Sequence, residues 1–175
     1  MRRAGLGVML GLVMAGMTGG ALAAPPQQLS HGRFENVPVY LPDGRPQRVV
    51  VWFEGMAGHA DSQQRIDALR AEGALVAQVD VAHLRQVLAR EKSGDCAFGA
   101  GDVENFSRWF QAYLHVPGYH LPLIGGDGEG AALAYAVAAQ ADTQVFAGLL
   151  TTGFCPAGVR ERKVCGAGSS HGRLQ

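Results

Sequence analysis

The run Arg48–Glu54 (RVVVWFE) constrains this chain more than any other segment. It is β-branched and aromatic, with no polar interruption until its end. Such a strand must be covered on both faces, as in a parallel sheet held between helical layers. The neighbouring segments agree. Val37–Leu41 reads as a strand ended by the turn Pro42-Asp43-Gly44. Asp61 with Gln64 predicts a capping box, for a helix whose apolar stripe is Ile66, Ala68 and Leu69 and which Gly73 stops. Ala74–Val81 is a further strand, and Leu84, Val87 and Leu88 mark a short helix after it.

Beyond a glycine-rich loop at Ser93–Gly101, Asp102 is placed to cap a helix carrying Val103, Phe106, Phe110 and Tyr113 at three- and four-residue spacing. Leu121–Gly126 reads as a strand, with Pro122 tolerable only near its beginning. Gly130–Ala141 is an Ala-rich helix, and Val145–Thr151 is the last clear strand. Strands alternating with helices imply an α/β fold, a mostly parallel sheet flanked by helices.

The ends of the chain read differently. Arg2 and Arg3 precede an apolar run, Leu6–Met17, and Ala21-Leu22-Ala23 supplies small residues at a cleavage site. This is the three-part pattern of a secretory signal peptide over residues 1–23. The run is too short and too glycine-broken to span a bilayer, so the exported chain has no transmembrane segment after cleavage. A periplasmic domain over residues 24–165 then follows, and a disordered tail, 166–175, low in apolar content. Over the full sequence 15 basic and 15 acidic residues balance, 13 against 15 without Arg2 and Arg3, and only 17% of the chain is charged. That excludes a basic nucleic-acid binder and an acidic disordered chain.

Export changes the meaning of the three cysteines. Cys96, Cys155 and Cys165 have no CxxC spacing and no nearby His pair, which argues against a zinc or other metal site. In an oxidising compartment Cys155 and Cys165, close together in a Pro/Gly-containing loop, are the expected disulfide, with Cys96 left over.

The most informative segment is LIGGDGEGAALAYA, Leu123–Ala136: strand, tight glycine turn, helix. In an α/β-hydrolase this junction carries G-x-S-x-G, the nucleophile elbow. Here the frame is Gly126, Asp127, Gly128, Glu129, Gly130, with Gly128 where the serine would sit. Gly128 can adopt the left-handed backbone of the apex without Cβ strain, but it cannot attack a carbonyl. Asp127 and Glu129 flank the apex and point elsewhere, so no catalytic residue is assigned. Gly126-x-Gly128-x-x-Ala131 also fits a dinucleotide fingerprint. It follows a late strand, however, and places Glu129 where a pyrophosphate would bind, so no cofactor is expected. The loop Gly55, Met56, Ala57, Gly58, His59 follows the buried strand where a hydrolase builds its oxyanion hole. It reads equally well as a plain connection. Asp80 ends a strand with no visible partner, and His171 lies in the tail.

With VVVWFEGMAGH (Val49–His59), SGDCAFGAGDVENFSRWFQ (Ser93–Gln111) and TTGFCP (Thr151–Pro156), the elbow segment resembles the N-terminal half of the VirJ/AcvB bacterial virulence-factor family. The resemblance spans roughly Phe34 to Cys165. It implies an exported α/β-hydrolase-like domain, incomplete at its C-terminal side. Full-length members resemble two such units in tandem, the second with an intact serine elbow, and are linked to hydrolysis of aminoacyl-phosphatidylglycerol. The sequence stops before any second unit, so that activity does not carry over. The expectation is a pseudoenzyme, a noncatalytic binding or scaffold domain of a VirJ/AcvB-like factor. The alternative is a hydrolase of aminoacyl-phosphatidylglycerol or another ester, its catalytic half missing from this chain. A third reading is a truncated gene product without a function of its own. In hydrolase strand order the apolar, uncharged strand Val145–Thr151 lies at an open edge. That predicts self-association or a partner, such as a catalytic hydrolase-like domain, unless Gly153–Cys165 folds back over the edge.

Overall fold

A computed structural model describes residues 24–55, 60–90 and 99–154. The strands are β1 (Gln27–His31), β2 (Phe34–Tyr40), β3 (Arg48–Glu54), β4 (Ala74–Asp80), β5 (Pro122–Asp127) and β6 (Gly148–Thr152). The helices are α1 (Ala60–Ala71), α2 (Val81–Arg90), α3 (Gly99–Tyr113) and α4 (Gly128–Ala138). The six described strands form one sheet in the order β1-β2-β4-β3-β5-β6. β2 pairs antiparallel with both β1 and β4, whereas β4, β3, β5 and β6 are mutually parallel along the sheet.

The strand that dominates the sequence takes the central place. β3 has parallel partners on both sides, with Val51 opposite Ala77 of β4 and Ile124 of β5. Its alternate residues feed two cores. Val49, Val51 and Phe53 join Leu84, Phe106, Phe110 and Leu133 beneath α2, α3 and α4. Val50 and Trp52 join Ile66 of α1 on the other face. Burial of apolar side chains on both faces is what an uninterrupted β-branched run requires.

Several local expectations are corrected. β1 was not expected from QQLSH, where only Leu29 is buried; it forms because β2 offers it an antiparallel ladder. Asp102 does not cap α3, which already begins at Gly99. Its carboxylate pairs instead with Arg33, and the early Ala100 N–H donates to Gln140 Oε1 at 3.3 Å. Asp61 lies inside α1 rather than before it, and the buried stripe of that helix is Ser62, Ile66 and Arg70, with Ala68 exposed. α4 starts at Gly128 and ends at Ala138, displaced from Gly130–Ala141. β6 starts at Gly148, because the chain first turns at Asp142–Val145, with Gln144 at φ 75°.

Candidate functional site: the elbow at the carboxyl edge

The site lies where β3 and β5 end side by side. β3 leads into α1 on one face of the sheet and β5 leads into α4 on the other. Connections that diverge in this way open a crevice at the carboxyl ends of the strands, the usual binding position in an open α/β sheet. Here Gly55, just beyond β3, packs directly against Asp127 and Gly130 of the turn between β5 and α4.

The five-residue frame is a true elbow. Gly128, the first residue of α4, sits at φ 47°, in the left-handed region, directly after the extended Asp127. A methyl group on Gly128 would meet nothing within 4 Å, so the apex opens outward. The glycines around it serve the opposite purpose. A Cβ on Gly130 would lie 2.0 Å from the Phe53 carbonyl oxygen, and one on Gly55 would lie 2.5 Å from the Asp127 carbonyl oxygen. Only glycine permits β3, β5 and α4 to approach this closely.

The two flanking carboxylates diverge, as expected, but toward definite partners. Asp127 stands at the N-cap of α4 without capping it through its side chain. Its Oδ1 accepts a 2.9 Å hydrogen bond from the Gly55 N–H, and its Oδ2 accepts one of 2.8 Å from Arg65 Nη1. Glu129 turns to the other side of the elbow and pairs with Arg85 at 2.5 Å. In a hydrolase elbow the oxyanion would be held by the N–H after the apex and an N–H just beyond the third strand. Gly55 holds the latter position here, and its N–H is already given to Asp127.

Behind the elbow lies a polar network in an otherwise apolar layer. Glu54 is only 2% exposed. Its Oε2 accepts from Ser62 Oγ at 2.7 Å and from Gln78 Nε2 at 3.2 Å, and lies 3.8 Å from Arg65 Nη1. Gln78 Nε2 also donates to Ser62 Oγ at 2.7 Å, and its Oε1 accepts from the Tyr40 hydroxyl at 3.1 Å. The Arg65 guanidinium lies 5.0 Å from the Trp52 ring centroid, a cation–π contact. Glu54 Oε1 is buried without a hydrogen-bond partner. Burial raises the Tyr40 phenol above its ordinary pKa, and the nearby Asp67 carboxylate adds to the rise.

Of the residues singled out in the sequence, the structure brings Gly55, Asp127 and the elbow glycines together. Sequence reasoning missed Glu54, Ser62, Arg65 and Gln78. The available signal was Glu54 itself, a carboxylate ending a fully apolar strand, which needs partners when buried. Asp80, taken as partnerless, accepts the His83 N–H at 3.1 Å and so caps α2. Beside it a cavity of about 170 Å³ opens between β2 and α2, where Glu35 meets Arg90 at 3.4 Å and His83 Nε2 at 3.6 Å. Met56, His59, Cys96, Cys155, Cys165, His171 and residues 1–23 lie outside the described residues. Among the described residues no group of three His, Cys, Asp or Glu could hold a metal ion, and no helix is long and apolar enough to cross a membrane.

The strand order, the single reversed strand β2 and the glycine elbow between β5 and α4 together point to one architecture. A carboxyl esterase from Bacillus coagulans, crystallised in complex with glycerol, superimposes with a TM-score of 0.51 at 19% identity. The fold is α/β-hydrolase-like. The match covers 74% of this chain and 44% of the esterase, so the chain spans less than half of that enzyme's length. A lipase in its open form is also similar, with a TM-score of 0.44 and 21% identity over 67% of this chain and 40% of the lipase. No protein-family model and no curated protein sequence matches the chain.

Proposed function

We propose that this chain is an exported, noncatalytic α/β-hydrolase-like domain that binds or scaffolds a partner within a VirJ/AcvB-like virulence factor. The observation that supports the noncatalytic part is the occupation of the elbow. Gly128 presents no nucleophile at the apex, and the Gly55 N–H is held by the Asp127 carboxylate. Acyl transfer needs an attacking group with a base beside it and free donors for the oxyanion. The elbow supplies a well-formed turn without a nucleophile at its apex, and one of its two oxyanion donors is already given to Asp127. Export and a Cys155–Cys165 disulfide belong to the same reading. Mass spectrometry of non-reduced, exported protein should yield a peptide joining those two cysteines, and a link through Cys96 would reject the pairing.

Turnover of a chromogenic short-chain ester tests the central point. The purified chain should show no hydrolysis above buffer, and neither should Gly128→Ser. A lone hydroxyl without its general base and acid leaves only weak residual catalysis. Hydrolysis by the native chain that disappears in Gly128→Ala would make it an enzyme acting through this elbow.

A further inference from the structure

The ladder between β2 and β4 is short. Val39 lies opposite Ala77 and Tyr40 opposite Val76, and the pairing goes no further toward the carboxyl end of β4. The sequence accounts for the break. Pro38 precedes Val39 and has no N–H, and Asn36, at φ 53°, gives its N–H to Ser30 Oγ of β1 at 2.8 Å. The two strands part there, and a cavity of about 170 Å³ opens between them beside α2. Phe34, Val37 and Leu84 give it an apolar wall, and Glu35, Asp80 and His83 a polar one. It lies at the carboxyl edge of the sheet, where open α/β folds take their ligands, but two strands away from the elbow.

The charges around this cavity do not cancel. Arg33 pairs with Asp102, and Glu35 pairs with Arg90 at 3.4 Å. Asp80 has no ion-pair partner among the described residues. Its Oδ1 accepts the His83 N–H at 3.1 Å, and the N-terminus of α2 supplies only about half a positive charge. His83 Nε2 is buried without a hydrogen-bond partner, 3.6 Å from Glu35 Oε2. The polar wall is thus not satisfied by the protein alone.

We infer that this cavity binds a small organic cation, a primary ammonium group on an apolar body about the size of a benzene ring. The volume sets the size, since a cavity of about 150 Å³ holds benzene. The Asp80 carboxylate sets the charge. It is an ionised acceptor beside an apolar wall, and a charge-assisted hydrogen bond is roughly twice as strong as a neutral one. An anion would instead meet Asp80 and Glu35 with like charge. The apolar body of the ligand packs on Phe34, Val37 and Leu84.

The inference does not rest on the noncatalytic reading of the elbow, and ester turnover would leave it unchanged. Benzylamine, protonated at neutral pH, is the probe, with benzyl alcohol and benzoate as its neutral and anionic counterparts of similar size. Amide NMR shifts of the full chain should saturate with benzylamine in the millimolar range, as suits so small a ligand. The shifts should concentrate at residues 34–37 and 79–84. Benzyl alcohol should bind at least about tenfold more weakly, and benzoate should not bind measurably. Asp80→Asn keeps an acceptor for the His83 N–H, so α2 retains its cap. It should weaken benzylamine at least about tenfold and leave benzyl alcohol unchanged. Benzylamine shifts that do not saturate, or that fall elsewhere in the chain, overturn the inference. So does benzyl alcohol or benzoate binding as tightly as benzylamine, or a folded Asp80→Asn that binds benzylamine as the native chain does. Should Asp80→Asn fail to fold, the three probes on the native chain decide by themselves.

Discussion

Asp127 Oδ1 accepts a 2.9 Å hydrogen bond from the Gly55 N–H, joining the end of β5 to the end of β3 across 72 residues of sequence. The same carboxylate binds Arg65 through its other oxygen at 2.8 Å. One side chain thus ties β3 and β5 to the helix that connects β3 to β4, and it engages the Gly55 N–H that an oxyanion hole would use.

Removing that carboxylate should loosen the junction between β3 and β5. Asp127→Ala should cost about 1–3 kcal/mol, since it deletes a hydrogen bond to a charged group and leaves Arg65 without this partner. Asp127→Asn, which keeps an acceptor for Gly55, should cost less. Urea denaturation gives both values, and a double-mutant cycle with Arg65→Met should show a coupling of at least about 0.5 kcal/mol.

The elbow glycines should divide by mechanism. Gly130→Ala drives a methyl to 2.0 Å from the Phe53 carbonyl oxygen, so it should destabilise by more than about 4 kcal/mol or abolish soluble expression. Gly128→Ala meets open space and bears only the left-handed backbone penalty, about 1–2 kcal/mol. Thermal unfolding of the two variants would separate steric closure from backbone strain.

Ser62→Ala should be more costly than an ordinary surface serine. It removes the 2.7 Å donor to Glu54 Oε2, leaving a buried carboxylate with less compensation. The expected loss is about 1–3 kcal/mol by chemical denaturation. A change below about 0.5 kcal/mol would mean that water replaces the hydroxyl.

Alkaline pH should destabilise the fold through two half-buried phenols. Tyr40 and Tyr119 both have pKa values raised above 10.0, chiefly by burial. The native state therefore keeps protons that the unfolded chain loses. Their contribution is complete below the unfolded value and falls as pH rises through the folded one. Stability measured from pH 9 upward should decline less steeply in Tyr40→Phe and Tyr119→Phe than in the native chain.

The layered fold was legible because periodicity is a local property. Val49–Phe53 is apolar at every position, and only a strand covered on both faces uses such a run. The elbow was legible for a related reason, since glycines at 126 and 128 bear on steric demands within one turn, whereas Gly130 answers to the Phe53 carbonyl of β3. The network behind it was not legible. Glu54, Ser62, Arg65, Gln78 and Asp127 come from three strands and one helix, and no sequence spacing relates them. β1 was hidden because QQLSH has a single buried residue, and its pairing depends on β2.

By itself, the sequence determined that the chain would form strand–helix layers around Arg48–Glu54 and turn sharply at Gly128 without a nucleophile. These follow from side-chain volume, branching and the absence of a Cβ, which act within a few residues. Tertiary structure alone decided where the charges went. Asp102 left its expected cap for Arg33, and the Asp127 side chain, though it stands at the N-cap of α4, went to Gly55 and Arg65. A carboxylate can satisfy its lone pairs on any donor within reach, and which donors are within reach is known only when the strands have been brought together.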